Sequence, residues 1–228
     1  MQKVAFFDID GTVFRGSLLI ELVEELIRSG AFPTEVRSRY HESYTAWRDR
    51  EESYEKYAWD VVLAFEAHIQ GLHYGVLKDA GRRVVESQGR QIYRYTRDLI
   101  YDLKKKGYSI VAISQSPKLI LDEFCRDHGF DKVYGRIYEI GPRDLLTGVV
   151  VLEERIKNKD EIVDRFLSHE THTLKGSVGV GDTESDISFL SKVETPICFN
   201  PNQKLYEHAI KEGWRVVVER KDVVYMIQ

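Results

Sequence analysis

Short apolar runs and amphipathic segments alternate along most of the chain. Residues 3–7 form an apolar run that stops at Asp8 and is typical of a buried strand. After Gly89, runs of this kind recur between segments of helical periodicity. The pattern there predicts strands at 108–114, 132–135, 176–182, 196–199 and 215–218, a hairpin at 136–152, and helices at 90–106, 117–128, 159–168, 185–191 and 202–212. This alternation predicts an α/β fold, with a Rossmann-like parallel sheet and helices on both faces.

The segment between residues 16 and 88 has a different pattern. Apolar positions recur there at helical spacing, and proline is absent from Thr34 to Ser116. The spacing predicts helices at 18–27, 35–48, 53–69 and 74–87. We therefore predict an α/β core formed by residues 1–15 and 89–228, into which an all-helical domain is inserted at 16–88. Gly16 and Gly89 are the candidate hinges between the two parts.

Composition and charge exclude several classes of protein. The chain has 228 residues, of which 43% are hydrophobic and 31% charged, and its formal net charge is −4. Because the balance is slightly acidic and no long lysine or arginine block occurs, we expect neither a nucleic-acid nor a membrane partner. No stretch without a charged residue exceeds 11 residues, whereas a membrane span needs about 20 apolar ones. With no signal-peptide pattern and two cysteines, Cys125 and Cys198, we expect a reduced, cytoplasmic protein.

Carboxylates directly follow two of the predicted strands. Asp8 and Asp10 come after the first strand, and Asp182 and Asp186 come at the end of the strand at 176–182. Ligands of open α/β sheets bind at the carboxyl ends of strands, and side chains two positions apart share a face of an extended chain. Such carboxylates would repel each other unless a cation lay between them, and Mg²⁺ prefers oxygen ligands of this kind. Helix capping by these aspartates is the alternative interpretation.

Two further features carry polar groups suited to a phosphate. The run Ser114-Gln115-Ser116-Pro117 lies between a predicted strand and a predicted helix, where a hydroxyl and backbone N–H groups bind anionic oxygens. Lys159 begins another predicted helix, and its charge there opposes the helix dipole, which indicates a negatively charged partner elsewhere. An ordinary serine cap and a solvated lysine are the alternatives. Lys157 could also take the place of Lys159.

In their order along the chain, these features resemble the motifs of the haloacid dehalogenase superfamily, phosphatase branch. The pattern D-x-D-G-T is matched at residues 8–12, the strand-ending serine by Ser114, the helix-starting lysine by Lys159, and G-D-x-x-x-D at 181–186. The helical insert resembles the type-one cap of this family. Thr147-Gly148 and the run at 200–205 are similar to the subgroup that contains phosphoserine phosphatase.

The resemblance implies a magnesium-dependent phosphatase that works through an aspartyl-phosphate. Asp8 would be the nucleophile and Asp10 the general acid and base, and Ser114 and Lys159 would complete the catalytic set. Mg²⁺ would be held by Asp8, by Asp10 through its backbone carbonyl, and by Asp182, while Asp186 would keep these metal ligands in place. The phosphate-binding residues that the resemblance implies are Gly11, Thr12, Ser114, Gln115 and Lys159.

The expected substrate is a small phosphorylated metabolite, and the protein is expected to be a monomer or a homodimer. A phosphotransferase with an acceptor other than water and a non-catalytic phosphate-binding module are the alternatives. Phosphoserine phosphatases meet the substrate amine with an acidic residue at the position of Ser17. They also meet the substrate carboxylate with a cap arginine, which the segment 54–61 lacks, although Arg48 or Arg50 could replace it. Phosphoserine specificity is therefore doubtful.

Aromatic residues are concentrated in the helical insert. Nine of them lie between residues 31 and 75: Phe32, Tyr40, Tyr44, Trp47, Tyr54, Tyr57, Trp59, Phe65 and Tyr74. They could form the core that a small helical domain needs. They could also form a wall over the active site that is apolar or attracts a cation.

Overall fold

An eight-stranded sheet forms the centre of the computed structural model, which describes residues 1–151, 156, 158–168 and 171–227. The strands are β1 (Gln2–Phe7), β2 (Ser109–Pro117), β3 (Lys132–Ile140), β4 (Leu146–Val151), β5 (His172–Gly181), β6 (Thr195–Phe199), β7 (Arg215–Arg220) and β8 (Val223–Met226). Their order in the sheet is β4-β3-β2-β1-β5-β6-β7-β8. Neighbours are parallel except at the two edges, where β4 and β8 are antiparallel to their partners. The predicted parallel sheet is thus confirmed, with one antiparallel strand added at each edge.

Five helices lie between β1 and β2, and four follow β2 in the described part of the chain. The first group is α1 (Leu18–Arg28), α2 (His41–Arg48), α3 (Tyr54–Ile69), α4 (Tyr74–Gln88) and α5 (Arg94–Lys105). The second group is α6 (Lys118–Asp127), α7 (Lys159–Leu167), α8 (Ile187–Leu190) and α9 (Gln203–Glu212). None of these described helices is both long enough and apolar enough to cross a membrane.

Alternate residues of the inner strands are buried on opposite faces of the sheet, as the period of a β-strand requires. On β1, Ala5 and Phe7 join a large apolar cluster that also contains side chains of α1, α3 and α4. Val4 and Phe6 join a second cluster, with side chains of α7, α8 and α9. Helices therefore cover both faces of the sheet, and the helical insert shares one core with the sheet.

The insert is attached to the rest of the chain at two places. At its base, the N–H of Arg15 donates to the carbonyl of Gln91 at 2.8 Å, so the two connecting segments run side by side. At its far end, the loop after α3 binds the hairpin β3–β4. There the N–H of Gly71 donates to Leu146 O at 2.8 Å, and Leu146 N–H donates to Leu72 O at 2.9 Å. The proposed domain boundaries fall at the first of these two places.

Several elements differ from their predicted bounds. The helix predicted at 35–48 is a 3₁₀ turn at Thr34–Arg39 followed by α2, with Tyr40 in a non-helical conformation between them. Strand β3 is one continuous strand rather than a short strand followed by a hairpin arm. Strand β8 was not predicted, because most of its residues are exposed at the sheet edge and carry no core-facing pattern. Lys157 and the predicted end of the hairpin, at 152, lie outside the described residues.

Candidate active site

The central strands β1 and β5 bring two of the predicted carboxylates together. The strands are parallel neighbours, and Asp8 and Asp182 are the residues that directly follow them. The N–H of Asp8 still donates to Val180 O at 2.9 Å, so its side chain emerges at the end of the ladder. In open α/β sheets this carboxyl edge is where ligands bind.

Lys159, the first residue of α7, lies between two of the carboxylates. Its Nζ is 2.7 Å from Asp8 Oδ1 and 2.5 Å from Asp186 Oδ1, and only 2% of the residue is exposed. Burial alone would lower the pKa of Lys159, but Asp186 and Asp8 outweigh burial and raise it. Lys159, whose positive charge opposes the dipole of the helix that it begins, therefore has Asp8 and Asp186 as its negatively charged partners.

Asp186 is held in one orientation by the turn that carries it. Its Oδ2 accepts from the N–H of Asp182 at 2.9 Å and from the N–H of Thr183 at 3.1 Å, while Oδ1 accepts from Lys159. A Cβ on Gly181 would lie 2.5 Å from this carboxylate, so only glycine fits there. Because both oxygens are occupied, Asp186 is better placed to orient its neighbours than to act on a substrate.

The carboxylates of Asp8, Asp182 and Asp186 form a group that fits a divalent cation. One oxygen from each lies within 4.8 Å of the others. Burial, together with repulsion from Asp186 and Asp10, raises the pKa of Asp8 from 3.8 to about 7, even though Lys159 acts in the opposite direction. Burial and the charges of Asp8 and Asp186 likewise raise the pKa of Asp182 well above its usual value. One lysine does not balance these three carboxylates, of which Asp8 and Asp186 are buried and Asp182 is half-buried, and a metal ion would supply the missing positive charge.

The turn after Asp10 fits closely around Asp182. Gly11 has a φ of +81°, and a Cβ at this position would lie 2.1 Å from Asp182 Oδ2. The hydroxyl of Thr12 donates to Asp182 Oδ1 at 3.1 Å. The first motif therefore shapes the metal-binding group through its glycine and threonine as well as through its aspartates.

The hydrogen-bond partners of the Asp10 side chain lie outside the three-carboxylate group. Its Oδ1 accepts from the N–H of Leu18, at the start of α1, at 2.6 Å. Its Oδ2 accepts from the hydroxyls of Ser114 at 2.7 Å and Ser116 at 2.8 Å. Asp10 is thus fixed by the insert on one side and by β2 on the other. The prediction that it reaches a metal through its backbone carbonyl, not its carboxylate, is compatible with this orientation.

The segment 114–116 differs from its predicted setting. It lies inside β2 rather than beyond the strand, because the strand continues to Pro117. Ser116 is a buried contact of Asp10 that was not predicted as a site residue, and the repeated serine at i and i+2 on a strand was the available signal. Gln115, between the two serines, accepts from Arg136 Nη2 at 3.3 Å.

Most of the predicted phosphate-binding groups already have partners within the protein. The N–H of Gly11 donates to the carbonyls of Phe14 and Gly16, at 3.0 and 2.9 Å. The hydroxyl of Thr12 is bound to an aspartate, as is that of Ser114. Gln115 and Lys159 line one cavity, and Gly11, Thr12 and Ser114 lie against the aspartates beside it. Phosphate binding by these five residues stays a prediction.

A cavity of about 330 Å³ opens over these residues. Its floor includes Asp8, Asp10, Lys159 and Asp182, and α3 forms the opposite wall. The residues of α3 that line the cavity are Tyr54, Glu55, Ala58, Trp59 and Val62. Volumes of this size are those of small-molecule sites.

The aromatic residues of the insert both pack against one another and line the cavity, and Tyr54 does both. Trp47 stacks on Tyr57 with ring centroids 5.5 Å apart, inside the insert. Tyr54 and Trp59 line the cavity. Arg48 and Arg50 line a neighbouring depression, which shares Tyr54 with this cavity, and neither arginine is among the residues that line the cavity itself.

Arg136 is a second buried cation near the cavity that the sequence did not point out. It lies on β3 with 2% of the residue exposed, and its Nη1 is 2.6 Å from Glu66 on α3. Its Nε has no hydrogen-bond partner within the described part of the chain. Since Arg136 also contacts Gln115, it joins the insert to the segment that holds Asp10.

The chain belongs to the haloacid dehalogenase-like hydrolases, because the model of that family matches residues 5–191. The carboxylates at the ends of β1 and β5, the lysine on α7 and the helical insert after β1 agree with this assignment. The predicted resemblance is thereby confirmed. The chain is 21% identical over 225 residues to a histidinol-phosphatase of Neisseria meningitidis serogroup C (strain 8013), covering 95% of this chain and 99% of the relative.

Solved structures share the fold along nearly the whole chain. A protein of unknown function from Bordetella pertussis Tohama I superimposes with a TM-score of 0.73 at 19% identity, covering 95% of this chain and 98% of the other. A phospho-aspartyl intermediate analogue of a phosphoserine phosphatase gives a TM-score of 0.64 at 21% identity, covering 97% and 95%. At these identities the likeness concerns the fold.

Proposed function

We propose that this hydrolase is a magnesium-dependent phosphatase that cleaves a small phosphomonoester through an aspartyl-phosphate. The observation that carries the proposal is the buried contact of Lys159 with Asp8 and Asp186, beside Asp182, at the floor of a small cavity. A carboxylate can approach a phosphate only where positive charge offsets the repulsion between them. This site combines a buried lysine with an acidic group that fits a divalent cation.

In the first step, a carboxylate oxygen of Asp8 attacks phosphorus in line with the ester oxygen. The bond from phosphorus to that ester oxygen breaks as the bond to Asp8 forms, and Asp10 gives its proton to the departing alkoxide. Lys159 offsets negative charge on Asp8 and on the transferred group. Ser114 and Ser116, which both donate to Asp10, keep the acid in place.

In the second step, a water oxygen attacks the phosphorus of the aspartyl-phosphate. Asp10, now ionised, takes a proton from this water, and the bond between phosphorus and Asp8 breaks. Inorganic phosphate leaves, and the carboxylate of Asp8 and the proton on Asp10 are both restored. Because Asp10 also binds the first turn of α1, its position depends on the placement of the insert.

Magnesium would be held by Asp8 and Asp182, together with the backbone carbonyl of Asp10. When bound, it would neutralise charge on the phosphoryl oxygens and orient them. Asp186 would act on the site indirectly, because its carboxylate holds Lys159 and the backbone of residues 182 and 183.

The nucleophile is tested by Asp8→Asn, with Asp102→Asn on the exposed face of α5 as the matched control. We expect Asp8→Asn to lower phosphate release by more than a thousandfold, because single losses of a nucleophile have effects of about that size or larger, and the control to keep the wild-type rate. Mass spectrometry of acid-quenched enzyme should find a phosphoryl group on the peptide that contains Asp8. A rate above a tenth of wild type in Asp8→Asn would refute its role.

The substrate panel should contain L-histidinol phosphate, because the relative aligned over nearly the full length is called a histidinol-phosphatase. It should also contain phosphoserine, sugar phosphates and nucleotides. Added alcohols distinguish a phosphatase from a phosphotransferase, since only a phosphotransferase would convert them efficiently to new phosphate esters.

A further inference from the structure

The charges that line the cavity are unevenly distributed. Lys159 is the basic residue among the described residues that line it, and this lysine is already bound between Asp8 and Asp186. Two carboxylates outside the proposed reaction centre, Glu55 and Glu184, also line the cavity. A leaving group with a carboxylate or a second phosphate would therefore meet negative charge, without a second lysine or arginine among the described residues that line the cavity.

The two additional carboxylates are not equivalent. Glu184 accepts from Lys204 Nζ at 2.8 Å and also from the side-chain amide of Asn202. Burial acts to raise the pKa of Glu184, but these two donors outweigh it and lower the pKa. Glu55 accepts from Asn202 Nδ2 at 2.7 Å, and no lysine or arginine of the described chain forms an ion pair with it. Glu55 thus lines the cavity with a carboxylate whose hydrogen-bond partner is the neutral amide of Asn202.

An aromatic surface lies next to Glu55. Trp59 is four positions further along α3, so the two side chains share a face of the helix, and both line the cavity. Trp59 is 47% exposed, unlike the aromatic residues packed inside the insert. An exposed indole beside a carboxylate is a favourable setting for an organic cation, because the ring face and the carboxylate attract the same charge.

We propose that the cavity selects phosphomonoesters whose leaving group carries a positive charge, an ammonium or an imidazolium, and that Glu55 and Trp59 form the subsite that recognises it. The inference rests on the proposed phosphatase function and extends it to the class of substrate. The cation would displace the Asn202 amide from Glu55 or share the carboxylate with it, while its carbon chain lies against Trp59.

Three esters of similar size and different charge test this inference. Phosphoethanolamine carries an ammonium, n-propyl phosphate is its neutral counterpart, and phosphoglycolate carries a carboxylate. With Mg²⁺ present, we expect kcat/KM for phosphoethanolamine to exceed that for n-propyl phosphate by about tenfold or more, as one ion pair and one cation–π contact together would give. Phosphoglycolate should be the poorest of the three.

Three variants test the two residues of the subsite, and a fourth serves as the control. Glu55→Gln should reduce the preference for phosphoethanolamine over n-propyl phosphate to about twofold or less, and Glu55→Lys should favour phosphoglycolate. Trp59→Leu should reduce the same preference about threefold, with the loss appearing in KM. Glu51→Gln removes the same charge from an exposed position just before α3 and should retain the wild-type preference.

The outcomes separate the two levels of the proposal. If neither these three esters nor any member of the substrate panel is hydrolysed in the presence of Mg²⁺, the proposed phosphatase activity is refuted. Turnover with equal kcat/KM for the charged and neutral esters would refute the subsite and leave the phosphatase standing. A preference that survives in Glu55→Gln and Glu55→Lys, both folded by circular dichroism, would assign recognition to other residues.

Discussion

Replacing Asp8 with asparagine should stabilise the metal-free protein while it abolishes turnover. In the folded chain, Asp8 is 6% exposed, and burial, Asp186 and Asp10 all disfavour its ionised form. Lys159 opposes them but does not outweigh them. Asparagine is close in shape to the protonated aspartic acid and carries no charge to bury. The variant therefore removes a destabilising charge that the proposed reaction requires.

The expected size of this stabilisation follows from the pKa of Asp8. A rise in the pKa of Asp8 from 3.8 to about 7 on folding corresponds to a loss of about 4 kcal/mol in the free energy of unfolding once the pH is above both values. The folded pKa is the higher one, so the contribution of Asp8 to stability is fully present below pH 3.8 and is lost as the pH rises to about 7. The stability difference between Asp8→Asn and wild type should thus grow with pH, by about 2–3 kcal/mol between pH 5 and pH 8.

Urea unfolding in the presence of a chelator measures this difference. Urea unfolding of both proteins should be measured at pH 5, 6, 7 and 8. If their unfolding free energies depend equally steeply on urea concentration, the difference between their unfolding midpoints reports stability alone. Asp102→Asn, on the exposed face of α5, should follow wild type at every pH. A difference between Asp8→Asn and wild type that stays constant or shrinks as the pH rises would refute the charge argument, whatever the activity.

Three further predictions concern the glycine turn, the buried arginine and the attachment of the insert. Gly11→Ala should weaken Mg²⁺ binding at least tenfold by calorimetry and cost about 1–3 kcal/mol in urea unfolding, because the new Cβ needs a left-handed φ and a place 2.1 Å from a metal-binding carboxylate. Glu66→Gln should cost about 2 kcal/mol in urea unfolding, since it leaves Arg136 buried without its ionic partner; no loss would show that this pair is dispensable. Amide exchange should be slow at Gly71 and Leu146 with and without Mg²⁺, because their backbone bonds fix the insert to the hairpin; fast exchange there would contradict this.

The parts of the molecule that could be predicted are those set by local pattern. The apolar run at 3–7 and the alternation after Gly89 were sufficient for the sheet, because buried parallel strands have a distinctive composition. Asp8 and Asp182 could be placed at one site because strand ends in a parallel sheet meet at the same edge. These are consequences of topology, and topology follows from the order of the elements. Lys159, which begins a helix, was assigned to this site by the resemblance to the family.

Contacts between elements far apart in sequence could not be predicted. Arg136 is the first residue of the predicted hairpin, just after the short strand predicted at 132–135, and its partner Glu66 is 70 positions away. The pairing of Asn202 with Glu55 spans 147 positions and has no local signal at either residue. Likewise, the continuation of β2 through Ser116 depends on a register shift against β3, which the serine-rich sequence does not show. The proposed specificity depends on such contacts, whereas the proposed chemistry depends on the strand ends.

The two ends of α3 are held to the core with unequal strength. Its C-terminal half is fixed by the ion pair of Glu66 with the buried Arg136 and by the backbone bonds of the loop that follows. At the N-terminal end of α3, the hydrogen bond of Glu55 with Asn202 is the one bond among the described side chains that joins the helix to the core. A single hydrogen bond to a neutral amide contributes less than a buried ion pair with backbone bonds beside it, so movement that admits a substrate should begin at the N-terminal end. Glu55 would then exchange Asn202 for the substrate's cation, and the carboxylate that joins this end of α3 to the core would also select what enters the cavity.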